Sequence, residues 1–144
     1  MANYADVLTD LNLPVMLDEF QSQKMVASFL CVKPTYSFHV VSMNKDDVVE
    51  DIQPLATANI WINGGYFIFR KEIFDYLGTN EELVEAPFKR LIAEEQLLAH
   101  RYTGFWATMD TFKDQQHLEA LYGSGQPPWA IWQKQALLTN TSAA

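Results

Sequence analysis

The sequence predicts an α/β protein in which a mixed β-sheet is flanked by helices. Short β-prone runs alternate with segments of helical periodicity along the whole chain. Two consecutive runs, residues 36–43 and 48–53, are joined only by Asn44-Lys45-Asp46-Asp47, and so short a connection implies an antiparallel pair within the sheet. No repeat, low-complexity linker or shift in composition divides the 144 residues, so residues 1–144 are expected to form one domain.

In chain order, residues 3–7 read as a short strand leading into the polar loop Thr9-Asp10-Leu11-Asn12. Pro14 suits a first helical turn, and Leu13, Met16, Leu17 and Phe20 follow the i, i+3, i+4, i+7 pattern of an amphipathic helix that ends near Gln23. Residues 26–32 form an apolar run, expected as a buried strand, closed by Lys33-Pro34-Thr35. The predicted hairpin follows, then a loop, then Trp61-Ile62-Asn63-Gly64-Gly65-Tyr66-Phe67-Ile68-Phe69, the most β-prone stretch of the chain. Two glycines inside a strand weaken it and mark either a bulge or a close approach of ligand to backbone.

Ile73, Phe74 and Leu77 are expected on the apolar face of a short helix that Gly78 terminates. Pro87 opens another helix, with Phe88, Leu91 and Ile92 toward the core. Residues 97–102 return as a strand. Thr111, with Asp114 three residues later, has the form of a capping box at the start of a helix carrying Leu118, Leu121 and Tyr122 and ended by Gly123-Ser124-Gly125. Trp129 and Trp132 belong to an aromatic tail that either closes the core or packs against another subunit, and residues 139–144 are expected to fray.

The formal net charge is −8, and no window gathers Lys and Arg into a stripe. Binding to nucleic acid or to an anionic membrane is therefore not expected, and an anionic ligand would need a local site built against the overall field. There is no basic-then-apolar leader and no apolar run near the ~18 residues of a membrane span, so the cytoplasm is the expected compartment. Cys31 is the sole cysteine, which leaves no internal disulfide and no cysteine-based zinc site; within its apolar run it reads as an inert core thiol.

Candidates for chemistry are few. No G-x-S-x-G occurs, His39, His100 and His117 lack metal-ligand spacing, and neither G-x-G-x-x-G nor a P-loop is present. Asp46-Asp47 and Glu81-Glu82 are adjacent charges in turns and read as solvated. No residue is assigned a catalytic role. Asp6, after a short strand, and Asp110, at a strand-to-helix junction, stand in more unusual settings. A carboxylate beside a helix start either stabilises the helix dipole or is held to grip a metal, and two carboxylates completed by water and phosphate oxygens are what Mg²⁺ requires.

Four stretches share an order and spacing: W-I-N-G-G-Y-F-I-F at 61–69, E-A-P-F-K-R-L at 85–91, L-L-A-H-R-Y-T-G-F-W-A-T-M-D-T-F-K-D at 97–114 and S-G-Q-P-P-W at 124–129. Together they resemble the C-terminal half of a sugar-phosphate nucleotidyltransferase, with glucose-1-phosphate cytidylyltransferase as the nearest branch. Y-A-D-V-L-T-D at 4–10 is similar to that family's Y-G-D-G segment, so the likeness covers nearly the whole chain. The resemblance implies the sugar-binding half of that fold, and a Mg²⁺-assisted transfer of a nucleotidyl group to a sugar 1-phosphate. It also implies that Asp6 and Asp110 bind the metal and that Asn63, Gly64, Gly65 and Tyr66 line the sugar pocket.

The family's glycine-rich, triphosphate-holding half has no counterpart here, so a nucleotide is an expected partner only with that half supplied. The family's E-K-P, which contacts sugar and phosphate, is matched by Ile52-Gln53-Pro54, its R-F-G by Ser37-Phe38-His39, and the last glycine of G-D-G by Val7. The expected function is thus the sugar-phosphate and Mg²⁺-binding half of a nucleotide-sugar-forming enzyme, inactive alone. The alternative is a non-catalytic binding or assembly module derived from the same fold. Self-association is expected in either case, because a half-fold leaves a sheet edge and part of a core uncovered.

Overall fold

The computed structural model describes residues 1–133. The expectation for residues 139–144 lies outside them. In order, the elements are β1 (Ala2–Asn3), β2 (Val7–Thr9), α1 (Leu13–Ser22), β3 (Ala27–Val32), β4 (His39–Met43), β5 (Val49–Pro54) and β6 (Ile62–Phe69). A 3₁₀ helix (Lys71–Tyr76), α2 (Ala86–Ala93), β7 (Leu97–Tyr102), β8 (Trp106–Thr108) and α3 (Phe112–Gly123) complete the chain.

The main sheet is four-stranded in the order β1-β6-β3-β7. β3 and β7 run parallel and the other pairs antiparallel, so the sheet is mixed as predicted. β3 is a near-continuous apolar run because it is covered on both faces. Leu30, Val32 and Ile68 pack with Leu11, Met16 and Phe20 under α1. Ala27 and Phe67 pack with Ile73, Phe88 and Leu91 under the 3₁₀ helix and α2. The neighbours Phe67 and Ile68 serve opposite layers, as the period-two alternation of a strand requires.

Two ribbons stand apart from this sheet. β4 pairs only with β5, from His39↔Pro54 to Met43↔Val49, and β2 pairs only with β8. The strand expected over residues 3–7 is broken at a turn through Ala5 and Asp6. The Tyr4 N–H donates to the Gly65 carbonyl at 2.8 Å, after which the chain leaves β6 and Val7–Thr9 joins Trp106–Thr108.

Three expected core residues, Phe74, Leu77 and Ile92, are exposed instead. Phe74 is 73% accessible because the segment is a 3₁₀ helix, whose three-residue turn sets Ile73 and Tyr76 on one side and Phe74 off it. Ile92 is 62% accessible, since the inward stripe of α2 is taken by Pro87, Phe88 and Leu91. Cys31 is buried as expected, and burial pushes its thiol pKa up, with the Arg101 charge acting in the opposite direction. The two tail tryptophans divide: Trp129 packs against Phe105 at 5.8 Å between ring centres, while Trp132 stays exposed.

Candidate functional site

The β2–β8 ribbon is short, but it sets the geometry of the site. Val7, Leu8 and Thr9 pair with Thr108, Ala107 and Trp106, and one further bond, from Met109 N–H to the Asp6 carbonyl at 2.9 Å, extends the pairing past the end of the ribbon. Asp6 and Asp110, far apart in sequence, therefore flank the same end of one ribbon. Asp110 sits just before the N-cap of α3. The predicted capping box is formed there, with Thr111 Oγ1 accepting from Asp114 N–H at 3.2 Å and Asp114 Oδ2 accepting from Thr111 N–H at 2.9 Å. These Thr111 hydrogen bonds hold the Asp114 carboxyl below its ordinary pKa. Helix capping thus falls to Asp114, while Asp6 and Asp110 are exposed and enter no ion pair among the described residues. No group of three His, Cys, Asp or Glu side chains forms a metal cage among the described residues.

Asn63, Gly64, Gly65 and Tyr66 lie in β6 beside this ribbon, at a bulge. Phe29 and Cys31, two apart on β3, face Phe67 and Asn63, four apart on β6. Asn63 folds back over the bulge: its Oδ1 accepts from Gly65 N–H at 2.9 Å and its Nδ2 donates to the Tyr4 hydroxyl at 3.3 Å. The Tyr66 hydroxyl donates to the Val7 carbonyl at 3.3 Å, and Trp106 Nε1 donates to the Gly64 carbonyl at 2.9 Å. The four β6 residues singled out from sequence are therefore tied to the ribbon and the segment before it through Tyr4, Val7 and Trp106. The chain's own packing constrains both positions, Gly65 more than Gly64. A Cβ at Gly64 would meet Leu30 at 3.0 Å, and one at Gly65, where φ is +74°, would meet Tyr4 at 2.7 Å.

Two adjoining clefts of about 350 and 360 Å³ open on the other side of Trp106 and share Thr35, Gly104 and Trp106 in their walls. None of the six residues singled out from sequence lines them; Trp106 is the link. Sequence reasoning missed Asp10, which fixes the wall of these clefts. Its Oδ1 accepts from the Tyr102 hydroxyl and from Phe105 N–H at 2.8 Å, and Thr9 Oγ1 donates to the Phe105 carbonyl at 2.8 Å. Burial, together with this bond to Asp10, pushes the Tyr102 phenol far above its ordinary pKa. The sequence carried no local signal for a contact spanning most of the chain.

The architecture is similar to that of one half of a sugar nucleotidyltransferase. The chain superposes on the crystal structure of a putative glucose-1-phosphate thymidylyltransferase from Bacillus anthracis, solved in complex with a sucrose, with a TM-score of 0.55, at 16% identity, over 81% of this chain and 51% of that one. At that identity the likeness is one of fold. In sequence the chain is similar to the probable glucose-1-phosphate cytidylyltransferase of Bacillus subtilis, 25% identical over 134 residues, 92% of this chain and 52% of the relative. It is also similar to the glucose-1-phosphate cytidylyltransferase of Salmonella typhimurium, 26% identical over 131 residues, 90% of this chain and 51% of the relative. The resemblance read from the motifs is thus matched over nearly the whole chain, which spans about half the length of these relatives. No model of a known protein family matches. No helix among the described residues is long and apolar enough to cross a membrane.

Proposed function

We propose that the chain is the sugar-phosphate and Mg²⁺-binding half of a nucleotide-sugar-forming nucleotidyltransferase of the glucose-1-phosphate cytidylyltransferase type, and that it does not complete the reaction alone. The observation that carries this reading is the Met109-to-Asp6 backbone bond, which brings the aspartates of two separate motifs to one end of one ribbon, beside the β6 bulge. Two exposed carboxylates with no third Asp, Glu, His or Cys gathered beside them among the described residues suit Mg²⁺, which keeps several waters and is held by one or two carboxylates plus substrate phosphates. Asp6 and Asp110 would hold that ion, and its contribution when bound is neutralisation of phosphate charge. Asn63 and Tyr66, partly buried on either side of the buried Gly64 and Gly65, would orient the sugar. The nucleotide partner belongs with the portion of the relatives that this chain does not span.

Calorimetric titration of the 144-residue chain tests the reading. Glucose 1-phosphate is expected to bind more tightly with Mg²⁺ than without, Asp110→Ala to remove the Mg²⁺ dependence, and nucleoside triphosphates to give no heat. Nucleotide-sugar formation by the isolated chain, abolished by Asp110→Ala, would contradict its inactivity.

A second reading has its own support. His39, Ile52 and Gln53, the departures from the family's sugar and phosphate contacts, all fall on the β4–β5 ribbon, which also exposes Val41, Met43, Val49 and Ile52. A two-stranded hairpin is marginal alone in water, so a module that kept the fold and uses this ribbon for assembly would place these residues under a partner. No heat with any sugar phosphate or nucleotide, combined with self-association lost in Ile52→Lys, would favour this reading.

A further inference from the structure

The clearest local exception to the acidic character of the chain lies at the Trp61 ring. The Lys33 ammonium sits 5.7 Å and the Arg101 guanidinium 5.4 Å from its centre. Asn59 Oδ1 accepts from Trp61 Nε1 at 3.2 Å and fixes the indole. The sheet register explains the convergence. Arg101 on β7, Cys31 on β3 and Asn63 on β6 form one row, and Lys33 and Trp61 each lie two residues from that row, hence on the same side of their strands.

The three arginines are used differently. Arg70 donates to the Met25 and Gln23 carbonyls at 2.9 and 2.8 Å, and Arg90 donates to the Tyr76 carbonyl at 2.6 Å and pairs with Glu81. Arg101 and Lys33 enter no ion pair among the described residues, although the chain carries 18 acidic residues against 10 basic ones. A guanidinium held over an aromatic ring keeps its rigid fork of N–H donors for a planar or tetrahedral oxyanion, and an ammonium adds donors of its own.

We propose that Lys33 and Arg101, held over Trp61, form a binding site for the phosphate group of a phosphomonoester. The proposal rests on the sugar-phosphate reading above for the identity of the ester, and it assigns the phosphate contact to Lys33, outside the motifs that carry the resemblance, and to Arg101, which lies within one of them but has no role assigned there. Asn63 occupies the same row as Arg101, so an ester whose phosphate is held there has its organic group directed along the row toward the β6 bulge.

The test is titration of the full chain with inorganic phosphate and, separately, glucose 1-phosphate, for the native sequence, Lys33→Gln, Arg101→Gln and Arg101→Lys, with folding checked by thermal melting. Both probes are expected to bind the native chain, and each glutamine variant to weaken both by at least about tenfold, since a charge-assisted contact is lost. Arg101→Lys, which keeps the charge, is expected to recover part of the loss. Glucose 1-phosphate binding that is unchanged in folded Lys33→Gln and Arg101→Gln would overturn the site while leaving the sugar-phosphate reading standing. Arg101-dependent phosphate binding with glucose 1-phosphate no tighter than phosphate would support the site and count against the sugar reading. No binding of either probe to the native chain would overturn the site.

Discussion

Gly65 illustrates how much of the site is decided by single residues. Its φ of +74° and the Tyr4 ring 2.7 Å from any added Cβ make Gly65→Ala costly. A loss of at least about 1–2 kcal/mol is expected from the left-handed backbone alone, and chemical denaturation measures it. Gly123, with nothing within 4 Å of an added Cβ and no positive φ, is the internal control. Gly123→Ala is expected to be neutral or to stabilise by up to about 1 kcal/mol, because glycine costs that much within a helix. Equal effects at the two positions would show that the bulge does not constrain Gly65.

Tyr102 gives a pH signature at the same scale. Its phenol has a raised pKa in the folded state, so between the ordinary tyrosine value of about 10 and the folded value the unfolded chain releases a proton that the folded chain keeps. Its contribution is fully present below pH ~10 and is lost as the pH rises beyond that value. Tyr102→Phe should therefore show a shallower alkaline loss of stability than the native chain, read from denaturation midpoints across the alkaline range. An unchanged slope would remove the Tyr102–Asp10 bond from the account. Residues whose partners are local were legible in the sequence, as Thr111 and Asp114 were. Asp10 was not, because its partners come from the end of β7 and the loop after it, and nothing near Asp10 announces them.

At the scale of elements, the same division holds. α1, β3, β6 and the β4–β5 hairpin follow from periodicity, proline placement and a short turn. The β2–β8 ribbon did not follow, because two three-residue strands paired across most of the chain carry no periodic signal. The ribbon nevertheless sets the two proposed metal ligands at one of its ends, so the candidates came from motifs while the element that brings their backbones near one another was not legible. The exposed Phe74 and Ile92 show the same limit: helical spacing fixes a stripe to within a residue, and packing selects which residues occupy it. α3 depends on its N-terminal box, so Thr111→Ala is expected to cost about 1 kcal/mol. Thermal unfolding with helical signal as the readout measures it, and a variant as stable as the native chain would mean that the box contributes nothing at the mouth of the site.

As a whole molecule, the chain carries a two-sided sheet whose outer strands are incompletely covered. β1 pairs with only two residues of the eight-residue β6, and β7 has a neighbour on one side alone. With the exposed apolar residues of the β4–β5 ribbon, this leads to the expectation that copies associate in solution. Sedimentation should then give a mass above that of the 16.5 kDa chain, and a stable monomer at all concentrations would count against it. The central claim is that the unit retains the sugar-phosphate side of nucleotidyltransferase chemistry. Calorimetric titration with glucose 1-phosphate, with and without Mg²⁺, tests it most directly: binding strengthened by Mg²⁺ and made Mg²⁺-independent by Asp110→Ala is predicted, and an absence of heat under both conditions would contradict it.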